Sequence, residues 1–134
     1  MDTPEIKTVK AFNDAITAGD AELMASLMAE DHTFIDAQGT VVVGIEKMTE
    51  GWKGFFRMFP DYKNEFEING NMVAAFGTAS GTYNGNRGLV PENKIKMPSA
   101  WKAIVENGKI KLWQVYADWT EGSRIIEEDG KAGL

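Results

Sequence analysis

Apart from a short hairpin before Gly44, the spacing of apolar residues is helical up to Pro60 and strand-like after it, and that switch restricts the fold more than any other feature of the chain. Before it, apolar residues recur every three or four positions, as on one side of an α-helix. After it they alternate, as on one face of a β-strand. Helices in the first half and strands in the second call for an α+β domain, with helices gathered on one side of a curved antiparallel sheet. A chain of 134 residues, 43% apolar and 25% charged, has room for one core, so residues 1–134 read as a single domain.

Local signals divide the chain further. Pro4 suits the first helical position behind Thr3 as cap, Ile6, Val9, Phe12 and Ile16 share one side, and Gly19 ends a helix over residues 4–18. Asp20 caps a second, shorter helix with Leu23, Met24, Leu27 and Met28 as its buried stripe. His32 to Asp36 alternates as a strand, and Asp36-Ala-Gln-Gly39 has the signature of a type I turn leading into Thr40–Val43. From Gly44 the helical period returns, with Ile45, Met48, Trp52, Phe55, Phe56 and Phe59 on one side.

Beyond Pro60, Tyr62, Asn64, Phe66 and Ile68 alternate with charged residues up to a turn at Asn69-Gly70-Asn71. Met72 to Tyr83 reads as a long strand whose Gly77 and Gly81 mark a sharp bend or a close approach. Residues 84–97 read as an exposed loop suited to cover a cavity mouth. Ala100–Glu106 and Lys109–Trp119 form a last hairpin about Asn107-Gly108, and residues 121–134 are expected as a polar tail. A strongly bent sheet of this kind encloses a hollow at its concave side, where a small molecule would sit.

Several chemistries drop out. The sequence has no cysteine, which removes thiol catalysis and thiolate metal sites, and its one histidine, His32, has no HExxH, GxSxG or Walker sequence around it. Gly85-Asn-Arg-Gly88 does not match a dinucleotide fingerprint, so neither a metal nor a cofactor is expected. A net charge of −6 without a basic cluster argues against nucleic acid. The first twenty residues lack the basic start and apolar run of a signal peptide, and no apolar stretch approaches the roughly 20 residues of a membrane span. A cytoplasmic protein is expected.

What remains is carboxylates on strands. Alternation places His32, Phe34 and Asp36 on one face of their strand, and Ile110, Leu112, Gln114, Tyr116 and Asp118 on one face of the last. If these faces look into the hollow, Asp36 and Asp118 stand among aromatics, where an acid's pKa rises and general acid–base catalysis becomes efficient. The competing structural roles are ordinary ones: Asp36 bonding its own turn, Asp118 pairing with Arg124 or facing water, His32 as a hydrogen-bonded packing residue. His32, Phe12, Trp52, Phe56, Phe59, Trp101 and Tyr116 are the candidate substrate-lining residues. The other face of the last strand, with Trp113, Val115, Ala117 and Trp119, is too apolar to stay wet. It is expected to pair two copies as a homodimer or to pack under the tail.

Five strings in this order carry a family resemblance over nearly the whole chain: Ala18-Gly19-Asp20, Glu30-Asp-His-Thr-Phe-Ile-Asp36, Phe59-Pro60-Asp61, Gly81-Thr82-Tyr83 and Val105-Glu-Asn-Gly-Lys-Ile110. The chain resembles the superfamily of nuclear transport factor two, ketosteroid isomerase and the SnoaL-like polyketide cyclases. The resemblance implies a cone-shaped half-barrel, three helices of the N-terminal half packed on the concave side, an apolar pocket and a dimer. Asp36 falls where ketosteroid isomerases carry their general base. Phe12 and Ala100 stand where those enzymes have oxyanion donors, and neither can donate, so true ketosteroid isomerase activity is not expected. Asp118, in Trp113-Gln-Val-Tyr-Ala-Asp118, is similar to the terminal-strand acid of the cyclases. The Arg and Asp pair of limonene epoxide hydrolases has no counterpart in Ala75–Ala79. The implied function is a cyclase-like or isomerase-like enzyme that moves a proton on an apolar carbonyl compound. The alternatives are a non-catalytic binding module for a small apolar ligand and a protein-interaction scaffold.

Overall fold

A computed structural model describes residues 2–69 and 73–132. Helix α1 (Pro4–Ala18) begins where Thr3 Oγ1 accepts from Ile6 N at 3.2 Å and ends at Gly19, whose φ of +66° suits a residue without Cβ. Helix α2 (Ala21–Ser26) is capped by Asp20, whose Oδ1 accepts from Leu23 N at 3.0 Å. It is shorter than its apolar stripe suggested. Leu23 is exposed, and Met28 belongs to strand β1 (Met28–Ile35). Strand β2 (Val41–Val43) and helix α3 (Ile45–Met58) follow, then β3 (Lys63–Asn69), β4 (Val73–Thr82), β5 (Lys94–Glu106), β6 (Lys109–Ala117) and helix α4 (Thr120–Ala132). The turn expected at Gly70 and Asn71 lies outside the described residues.

The strands form one open curved sheet in the order β2-β1-β6-β5-β4-β3. It is not wholly antiparallel: β1 runs parallel to β6, pairing Phe34 with Trp113 and Ile35 with Gln114. At Gly77, which pairs with Phe66, a Cβ would fall inside the Glu65 carbonyl, so β3 and β4 approach there as only glycine permits. The helices cover one face, and Val9, Phe12 and Ile16 of α1 pack on Ala75, Ala79, Trp101, Ile110 and Trp113 of the sheet. This is the cone-shaped half-barrel.

A bulge decides which residues line it. Ile104 pairs with Leu112 and Val105 with Ile110, so Lys111 has no partner and the alternation of β6 slips by one. Ile110 points inward as expected. Beyond the bulge the inward residues are Trp113, Val115 and Ala117, while Tyr116 is 49% exposed on the convex side and Asp118 is exposed. The face bearing Trp113, Val115 and Trp119, expected to pair two copies, is therefore the inside of the domain, and Trp113 lies between Phe12, 5.0 Å away, and Phe66.

The segment expected as a polar tail is α4, an amphipathic helix whose Ile125 completes a second small core with Phe59 and Ile95. The loop after β4 does not cover a cavity. It clasps α4: Asp129, 1% exposed, accepts from Asn86 N at 2.5 Å, Arg87 N at 2.8 Å and Asn93 Nδ2 at 2.9 Å, with the Arg87 guanidinium at 3.6 Å. Burial works to raise the Asp129 pKa, but these donors outweigh it and hold the carboxyl below its ordinary value. A carboxylate depressed on folding adds stability above its unfolded pKa of about 3.9 and loses it as pH falls through the lower folded value. The native protein is expected to be more stable than Asp129→Asn at pH 7, with the difference shrinking in the acid range below about pH 4. Urea midpoints across pH measure it, and a constant difference would count against the latch.

Candidate active site

Between α3, the strands β1 and β6, and α4 lies a cavity of about 360 Å³. Its walls are overwhelmingly apolar. Phe34 meets Trp52 edge-on at 5.8 Å, Trp52 meets Phe55 at 5.7 Å, Phe55 meets Tyr62 at 4.7 Å, and Phe59 meets Trp119 at 6.0 Å, so one run of rings links β1 to the start of α4. Met48, Met58, Met97, Val115 and Ile126 fill the spaces between. The helical period of α3 delivers Met48, Trp52, Phe55 and Phe59 to one side, and the shifted parity of β6 delivers Val115 and Ala117.

Asp36 is the one charged residue in the wall among the described residues. It lies two residues beyond Phe34, on the same face, where β1 gives way to the turn. The structural reading, a carboxylate bonded to its own turn, holds. Oδ1 accepts from Gln38 N and Thr40 N, each at 2.9 Å, while Gly39 N bonds the Asp36 carbonyl at 3.0 Å, as a type I turn requires. Its second oxygen, Oδ2, makes no hydrogen bond among the described residues. The turn thus fixes the carboxylate through Oδ1.

Tyr62, just after α3, also lines the cavity, and burial pushes its phenol well above the ordinary value, a hydrogen bond with Asn64 offsetting part of this. It stays protonated and is a donor. Sequence reasoning placed Tyr62 on an alternating strand without assigning it to the site. The available signal was its position immediately behind the aromatic helix.

Of the other expected site residues, Trp52 and Phe59 line the cavity and Phe56 packs behind Trp52 at 5.5 Å. Phe12 and Trp101 are buried in the core rather than in the wall, Trp101 against Phe66 at 5.1 Å. His32 is fully buried, with Nδ1 donating to the Ile110 carbonyl at 2.8 Å. Burial holds its pKa below the ordinary histidine value, so it stays neutral as a packing residue. Tyr116 faces outward on the convex side. Asp118 is exposed at the start of α4 and accepts from Thr120 Oγ1 at 2.6 Å and Thr120 N at 2.9 Å, which hold its pKa below the ordinary value. An acid so placed is a charged cap and not a proton donor in a greasy pocket. It does not pair with Arg124, which is held by Glu121 and Glu128. Among the described residues no cluster of three His, Asp or Glu could hold a metal ion, and no helix is long and apolar enough to cross a membrane.

Comparison with known proteins adds the lineage. A family model described as a SnoaL-like domain matches residues 9–113. A search of curated proteins finds no match. Solved structures share the fold at low identity. One from Xanthomonas campestris pv. campestris, assigned to the polyketide cyclases, has a TM-score of 0.79 and 18% identity over 91% of this chain and 96% of that one. A hypothetical protein with a ketosteroid isomerase-like fold from Catenulispora acidiphila, in complex with trimethylamine, has a TM-score of 0.73 and 21% identity over 96% and 95%. TerC, co-crystallised with polyporic acid, has a TM-score of 0.74 and 19% identity over 93% and 99%.

Proposed function

The chain belongs to the SnoaL-like domain family, and from that membership and the walls of the hollow we propose that it is a small-molecule enzyme acting on an apolar carbonyl compound. The carrying observation is Asp36: a carboxylate fixed in the cavity wall by its own turn, with Oδ2 free. In this reading the substrate lies against Trp52, Phe55 and Phe59. Asp36 takes a proton from the carbon beside the carbonyl, and the electron pair moves toward the carbonyl oxygen. The Tyr62 phenol donates a hydrogen bond to the charge that develops there, and Asp36 returns the proton at a second carbon. Such a step isomerises an unsaturated carbonyl compound without any change of oxidation state; if the carbanion instead attacks a second carbonyl of the same molecule, a C–C bond forms, that C=O π bond breaks, and Asp36 returns the proton to its oxygen, which closes a ring. Two fold relatives were crystallised with small organic molecules, polyporic acid and trimethylamine, which supports a small-molecule ligand. The second reading keeps the hollow and the ligand but no proton transfer.

Both readings require occupation of the cavity, and that is tested by filling it. Ala117 stands in the wall with only a methyl side chain. The native protein is expected to enhance the fluorescence of the neutral probe N-phenyl-1-naphthylamine. Ala117→Trp should lose most of that enhancement with an unchanged circular dichroism spectrum, because the indole takes the ligand's space. Equal enhancement by the folded variant would remove the cavity from the function.

A further inference from the structure

Asp36, in an exposed turn of the cavity wall, is the one charged residue among the described residues that line it, and that charge bears on what enters. No Lys, Arg or His lines the wall among the described residues, and Asp36 takes part in none of the ion pairs found there. An anionic ligand would bring its charge beside the Asp36 carboxylate without any cation to meet it, in a hollow whose polar groups are few. A neutral ligand gains only apolar contact and the Tyr62 donor. A cation gains from two sources at once. The ring faces of Phe34, Trp52, Phe55, Phe59, Tyr62 and Trp119 carry negative quadrupole charge, and Asp36 Oδ2 is free to pair with it. The net charge of −6 favours its approach further.

We propose that the natural ligand is an apolar organic amine in its protonated or quaternary form, seated among these rings with its charge toward Asp36. The inference rests on the reading of the cavity as the ligand site and adds the chemical class. It also serves the proposed chemistry when the ligand carries both groups, because an ammonium substituent on the carbon beside a carbonyl makes that C–H bond more acidic than in the ketone without it. Asp36 keeps its geometry during binding, since the two backbone donors on Oδ1 belong to its own turn.

The test compares benzyltrimethylammonium with neopentylbenzene, which has the same shape with carbon in place of nitrogen, by quenching of the fluorescence of Trp52 and Trp119 at 0.15 M salt. The cation is expected to bind the native protein at least about tenfold more tightly than its neutral isostere. In Asp36→Asn, which keeps the oxygen that closes the turn, the neutral compound should bind as before and most of the cation's advantage should disappear. Equal binding of the pair by the native protein would overturn the inference while leaving the cavity as the ligand site. An advantage that survives intact in Asp36→Asn would overturn the role given to Asp36. If neither compound binds, and N-phenyl-1-naphthylamine also fails, the reading of the cavity as a ligand site falls with it.

Discussion

Trp113→Ala is expected to destabilise the domain by about 3–5 kcal/mol, with a fall in Tm on the order of 10–20 °C. The reason lies in its surroundings. Trp113 is 1% exposed, wedged between Phe12 and Phe66 where α1 meets the sheet, and its removal opens a void that rigid neighbours on both sides cannot close. Had the alternation of β6 run unbroken from Ile110, Trp113 would stand on the convex side as an interface residue. Its loss would then separate two copies and leave each as stable as before. Thermal denaturation with sedimentation decides between them: an unchanged Tm with a shift toward monomer would show that the inner face has been misplaced. Tyr116→Ala, one strand position away from Val115 and exposed, is the matched control and should change stability by no more than about 0.5 kcal/mol.

Asp36→Asn is expected to slow proton transfer by about 10²–10⁴-fold, the usual contribution of a positioned general base. Asparagine preserves the shape of the side chain and an oxygen for Gln38 N and Thr40 N, so the turn should remain closed while the basic oxygen is lost. Asp118→Asn should leave the rate alone, because Asp118 is exposed and bonds Thr120 at the start of α4. Exchange of the C1 protons of 2-tetralone with D2O, followed by NMR, provides a rate without knowledge of the natural substrate. Were Asp118→Asn to abolish exchange and Asp36→Asn to retain it, the assignment of the working carboxylate would be reversed.

The sequence carried much of the fold because its strongest signals are local. Thr3, Pro4, Gly19 and Asp20 act through hydrogen bonds within a turn or two, and they sit at the helix ends where they were expected. The aromatic side of α3 follows from a 3.6-residue repeat, which gathers Trp52, Phe55 and Phe59 on one side, and the packing of that side makes it cavity wall. Asp36 was readable twice, as the first residue of a turn and as the face-mate of Phe34, and both readings meet in one side chain. Residues 121–134 were read as a polar tail because most of them are polar or glycine. The helix gains its hold from Asp129, whose donors sit more than 35 residues earlier in the chain.

By itself, then, the sequence determined the order of helices and strands, their caps and turns, and the aromatic surface from which a pocket is made. The tertiary structure alone decided which side of β6 is the inside, that β1 runs parallel to it, and that Asp36 enters the hollow while Asp118 does not. Alternation along a strand fixes which residues share a face but not which face is buried. One unpaired residue, Lys111, slips that pattern, and the ladders to β5 and β1 reveal it.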